Sequence, residues 1–177
     1  MISKKRGNGL ISRFRKGNAI VDTLTIIVVV FVIAIVLIFG KYVLNEINDD
    51  IQASSDMTNS TKDSIQEMHT RSSSFLDGLF IFIFIMVWAL MIVASFMIDS
   101  HPVFFIFTVM ISIFVFIIAA SLGNVYEEVA ADPDLAPIVA ADFPMTNWVM
   151  THFLLMLIVM AFSVMIALFA KNRMGQG

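Results

Sequence analysis

The sequence predicts an all-α membrane protein of four transmembrane helices, and three observations predict it. Hydrophobic residues make up 59% of the 177-residue chain and charged residues only 14%, about half the roughly 25% of an ordinary soluble domain. The apolar residues gather in four runs, 19–40, 75–98, 103–122 and 148–170, each long enough at about 1.5 Å per residue to cross roughly 30 Å of hydrocarbon. Their apolar character is continuous, not alternating. A lone strand in lipid would leave peptide groups unpaired at several kcal/mol each, far more than the tenths of a kcal/mol that Val and Ile cost a helix.

The elements follow in order. Residues 1–18 form a basic arm carrying Lys4, Lys5, Arg6, Arg13, Arg15 and Lys16. Cations before an apolar run suggest a secretory leader, but the run exceeds a leader core of about 7–15 residues. No small-x-small site closes it before Gly40-Lys41, so it reads as a retained span. Residues 41–74 carry Leu44, Ile47, Ile51, Ser54, Thr58, Thr61, Ile65 and Met68 at 3,4 spacing, one stripe of a helix. Because the chain must return to the membrane at Phe75, the polar middle, 54–61, is the natural reversal. The segment is expected to form an outer amphipathic helical hairpin, with one flat surface helix as the alternative. The hairpin would then either merely continue the bundle or present Asp49, Asp50, Asp56 and Asp63 to a partner.

Spans two and three are separated only by Asp99-Ser100-His101-Pro102, which requires a tight turn. Residues 123–147 contain Pro133, Pro137 and Pro144, which forbid one long helix. In this outer, Pro-containing interfacial loop Leu135, Ile138, Val139 and Phe143 suit a short amphipathic segment dipping into the membrane interface, and the loop is expected to serve either as a contact surface or as an interfacial cap over the bundle. Span four leads to a short tail, 171–177.

Charge fixes the expected orientation. The six cations of the arm, with Lys171 and Arg173 after span four, oppose only Lys41, Lys62 and Arg71 in the outer loops. The positive-inside rule places both termini in the cytoplasm or its topological equivalent. Tyr42, Tyr126 and Trp148 fall at span ends assigned to the outer interface and are expected to anchor there. Trp88, near the middle of span two, should pack on another helix, where its indole N–H needs a partner. Ala119 and Gly123 form a small-xxx-small pair suited to close helix packing.

Candidate chemistry is sparse. Pumps, carriers and intramembrane enzymes need ionisable groups at depth, and these runs hold almost none. Asp22 and Asp77 lie in the first turns of spans one and two, where helix amides and the macrodipole favour a carboxylate. His69, His101 and His152 sit in different segments without zinc-helix spacing. The chain has no cysteine, and Ser72-Ser73-Ser74 have no base placed beside them by any motif. No catalytic, cofactor or metal site is therefore expected, and the protein reads as non-enzymatic. The basic arm is the strongest binding feature. Each cation contributes on the order of 1 kcal/mol near an anionic leaflet, and the same charges would neutralise nucleic-acid phosphates.

Two resemblances follow. Arg15-Lys16-Gly17 before Asn18-Ala19-Ile20-Val21-Asp22 and a long apolar helix resembles the start of a type IV pilin precursor, which implies cleavage at Gly17 and a packing role for Asp22. Pilins continue into a soluble β-containing head, whereas three more spans follow here. As a whole, a short, cysteine-free, Phe- and Ile-rich chain with a basic arm resembles the small polytopic proteins of tailless icosahedral viruses and phages with an internal lipid membrane. That resemblance implies a virion structural role, linking the bilayer to capsid or genome, in a viral internal membrane or the host cytoplasmic (inner) membrane. The expected partners are lipid, further copies of the chain, other membrane or capsid proteins, and nucleic acid through the arm. A pore, holin-like or carrier subunit and an accessory subunit of a larger membrane complex are the alternatives.

Overall fold

The computed structural model describes residues 19–97 and 102–174. The basic arm with Gly17, the turn through Asp99, Ser100 and His101, and the last three residues lie outside the described residues. Six helices run in order: α1 (Ala19–Ala53), α2 (Asn59–Met97), α3 (Pro102–Ala130), α4 (Ala136–Asp142), α5 (Pro144–Thr151) and α6 (Phe153–Met174). Among the described residues there is no strand. α1, α2, α3 and α6 are long and apolar enough to cross a membrane, and the chain is an integral membrane protein.

α1 and α2 are longer than a bilayer requires. Their 35 and 39 residues correspond to roughly 50–60 Å, against about 30 Å of hydrocarbon. Both therefore carry several polar turns past their apolar runs. α1 stops where the amide of Ser54 closes back on the carbonyl of Asp50. Thr58 then starts α2: its carbonyl accepts from Thr61 and Lys62, and its hydroxyl oxygen takes the Thr61 amide at 3.4 Å. This is the N-cap role that a short hydroxyl side chain fills.

The seam between α1 and α2 changes character along its length. Ile27, Val30, Ala34 and Ile38 are buried, and the same helical face continues through Lys41, Asn45, Asn48 and Gln52. Across the pair Asn48 donates to Gln66 at 3.0 Å, Gln52 donates to the Lys62 carbonyl at 3.0 Å, and Lys62 donates to the Gln52 carbonyl at 2.7 Å. The apolar stripe does not make this contact: Leu44 is 43% exposed, Ile47 48% and Met68 72%, so that stripe flanks the seam. A 4,3,4 spacing of polar residues, 41, 45, 48 and 52, makes the contact instead.

Residues 123–147 also differ from expectation. α3 continues to Ala130, the amide of Asp134 binds the Asp132 carboxylate at 2.9 Å to make a turn, and two short helices follow. Each has a proline in its first turn, a position where the missing N–H costs nothing. Leu135, Ile138, Val139 and Phe143 are buried inside the protein with Tyr126, Val149, Met150 and Phe153. They cap the bundle and do not reach lipid, because folding α4 and α5 back onto α1, α2 and α3 gives these side chains protein neighbours. The apolar run 148–170 is likewise not one helix. It breaks at His152, between α5 and α6, where the His152 amide turns back to the Trp148 carbonyl at 3.2 Å. α6 then packs against α2 and α3.

Candidate functional site

Apart from Ser95, the buried polar side chains lie toward one end of the bundle, where Asp77 and Lys41 each anchor a joint between helices. The first is built on Asp77, which is 5% exposed and sits in the middle of α2, not in its first turn as the apolar run had suggested. Its carboxylate accepts from the Met145 amide at 3.1 Å, the Thr146 amide at 2.8 Å and the Thr146 hydroxyl at 2.7 Å. Met145 and Thr146 are the second and third residues of α5, whose amides have no intrahelical acceptor. The residue before α5, Phe143, has no side-chain oxygen to offer. Asp77 thus caps a helix 68 to 69 residues away in sequence. Its charge is satisfied by three donors and by the positive end of the helix. Beside it, Tyr126, with no exposed surface, donates to Asn147 at 3.3 Å.

The second joint lies where the apolar run of α1 ends. Lys41 has no exposed surface. Its Nζ lies 3.1 Å from His69 Nε2, 3.1 Å from the His69 carbonyl and 3.2 Å from Ser72 Oγ. His69 Nε2 is also 2.6 Å from the Asn45 side-chain oxygen. An amine beside a serine hydroxyl has the composition of a nucleophile and base, but this geometry does not activate Ser72. Its hydroxyl donates to the His69 carbonyl at 2.6 Å, and mid-helix its neighbouring amides are spent on the helix ladder and cannot hold an oxyanion. The joint ties the two helices together.

The sequence-derived site residues distribute as follows. Tyr42 is half-buried against the core and Tyr126 is fully buried. Tyr126 is therefore no interfacial anchor, because α4 and α5 fold over it. Trp148 is 56% exposed and stacks on His152 with ring centroids 5.2 Å apart. Trp88 packs against the core, yet its indole N–H finds no acceptor. Ala119 is fully buried. A Cβ added to Gly123 would meet nothing within 4 Å, so Gly123 mediates no close helix approach within the chain. Among the described residues, no group of three or more His, Cys, Asp or Glu could hold a metal ion. The contacts among Lys41, His69 and Ser72, and that of Asp77 with α5, join residues the sequence gave no reason to pair. Only the polar 3,4 spacing at 41, 45, 48 and 52 marked one of the faces involved.

No protein family, characterised protein or solved structure matches the chain.

Proposed function

We propose that the protein is a non-enzymatic membrane component that organises a lipid bilayer as an assembly of copies. One observation carries this reading: the buried ionisable groups are spent on joints between helices. Asp77 uses both carboxylate oxygens to cap α5, and Lys41 uses its amine to bind α2. A carrier or proton relay requires such groups to exchange partners with ions or substrate; here each is held by fixed neighbours.

The setting that fits best is the internal membrane of a tailless icosahedral particle, the class the chain resembles in character. There the basic arm would meet anionic lipid or packaged nucleic acid on the side of the two termini. The hairpin end of α1 and α2 would face the shell.

Reconstitution at high protein density with an entrapped dye tests this. The proposal expects vesicles that stay tight and a fixed ratio of protein to lipid on density gradients. Dye release that scales with protein density would replace it with the pore reading.

A further inference from the structure

One ring nitrogen, His69 Nε2, meets a buried amine and an amide oxygen at once. We infer that this contact makes the base of the α1–α2 hairpin a proton-operated latch: a proton taken up by His69 releases Lys41 and parts the two helices. Nε2 of His69, on α2, lies 3.1 Å from Lys41 Nζ and 2.6 Å from the Asn45 side-chain oxygen, both on α1. Lys41 also donates to the His69 carbonyl at 3.1 Å and to Ser72 Oγ at 3.2 Å. The three N–H groups of its ammonium thus have three partners.

A neutral ring suits this place. With Nε2 bare it accepts from Lys41, and the Asn45 amide, turned end for end, presents its NH₂ group to the same lone pair. A protonated ring does not suit it. Nε2 then carries a hydrogen in every case, which the Asn45 oxygen accepts but which leaves one N–H of Lys41 facing a donor. The ring also sets a second positive charge against the first. Like charges in such contact, beside a side chain that water does not reach, repel strongly.

Neighbouring carboxylates do not neutralise the pair. Asp49 on α1 and Asp142 at the end of α4 are the acidic groups that act on His69. Among the described residues neither forms an ion pair with His69 or with Lys41. Lys41 has no exposed surface and cannot turn its ammonium to water in place, so the repulsion acts on the helices that carry the two groups. Toward the hairpin tip the seam holds. The bonds of Asn48 with Gln66 and of Gln52 with Lys62 involve no group whose ordinary titration falls between about pH 5 and 8.

Histidine is the side chain that ordinarily titrates in that range. The closed joint excludes a proton that the open one accepts, so the tie is complete at neutral pH and is lost as the pH falls. The latch changes how two helices are tied and not what crosses the membrane. It stands apart from the assembly reading, whose tight vesicles and fixed protein-to-lipid ratio at neutral pH are the same with or without it.

Because the chain has no cysteine, spin labels can be placed in pairs on the full chain in liposomes. Val43→Cys with Thr70→Cys, both exposed neighbours of the joint, reports its base, and Asp50→Cys with Ser64→Cys, both exposed, reports the tip. Electron–electron double resonance should show a widened distance between positions 43 and 70 whose population rises at least about fivefold from about pH 7.5 to about pH 5, while the distance between positions 50 and 64 stays the same. His69→Gln keeps a hydrogen-bonding amide that cannot titrate and should abolish the response. Lys41→Met should abolish it too, since His69 then titrates without an opposing cation; Lys41→Gln is the second variant at that position, and circular dichroism at neutral pH checks that each is folded. An unchanged distance between positions 43 and 70 in the otherwise native chain would overturn the latch, as would a widening that persists in a folded variant at either position.

Discussion

Asp77 shows how far a residue's meaning can lie from its sequence neighbourhood. A carboxylate near the start of an apolar run suggests a cap for its own helix, and the structure uses it to cap α5 instead. The sequence marks it at the start of an apolar run but reveals neither its position midway along α2 nor its partner, because nothing local marks an acceptor 69 residues from its donor. The contact has a measurable worth. Asp77→Asn places an NH₂ group against a backbone amide and removes the charge that favours the helix terminus, so it should cost about 1–3 kcal/mol of unfolding free energy in detergent micelles. Thr146→Val removes only the hydroxyl donor and should cost about 1 kcal/mol. Equal stability of Asp77→Asn and the native chain would mean that α5 is held by its apolar face alone.

At the scale of elements, the four apolar runs and their helical state could be read directly, because hydrocarbon length and backbone pairing leave one solution. The hairpin's packing face could not. In water an apolar stripe is the default buried face. Here the polar residues Lys41, Asn48 and Gln52 hold the seam, and Leu44 and Ile47 stay outside it. Such a seam gives register at the expense of stability. The Asn48 side-chain oxygen is buried without a partner, so replacing both partners, Asn48→Leu with Gln66→Leu, should stabilise the hairpin by about 1 kcal/mol in thermal melts. The double variant should also loosen the α1–α2 register, seen as slippage in pairwise distance measurements across the hairpin. Destabilisation by the double variant would show that the polar pair contributes net stability. The helices in 123–147 were hidden for another reason. Prolines at 133, 137 and 144 exclude one long helix, but they permit short ones that open on a proline.

In the whole molecule, four helices long and apolar enough to cross a membrane form a bundle tied toward one end by buried polar joints. From the distribution of Lys and Arg we propose that both termini lie on one side of the membrane and the hairpin on the other. The proposed assembly role depends on that arrangement. The most direct test labels single cysteines with a membrane-impermeant maleimide in sealed vesicles of one orientation, using Asn8→Cys, Asp56→Cys, Asp134→Cys and Gln176→Cys in separate chains. The account predicts that positions 56 and 134 react together from one face, and that positions 8 and 176 react only once the bilayer is opened or from the other face. Reaction of positions 8 and 176 from opposite faces would contradict it.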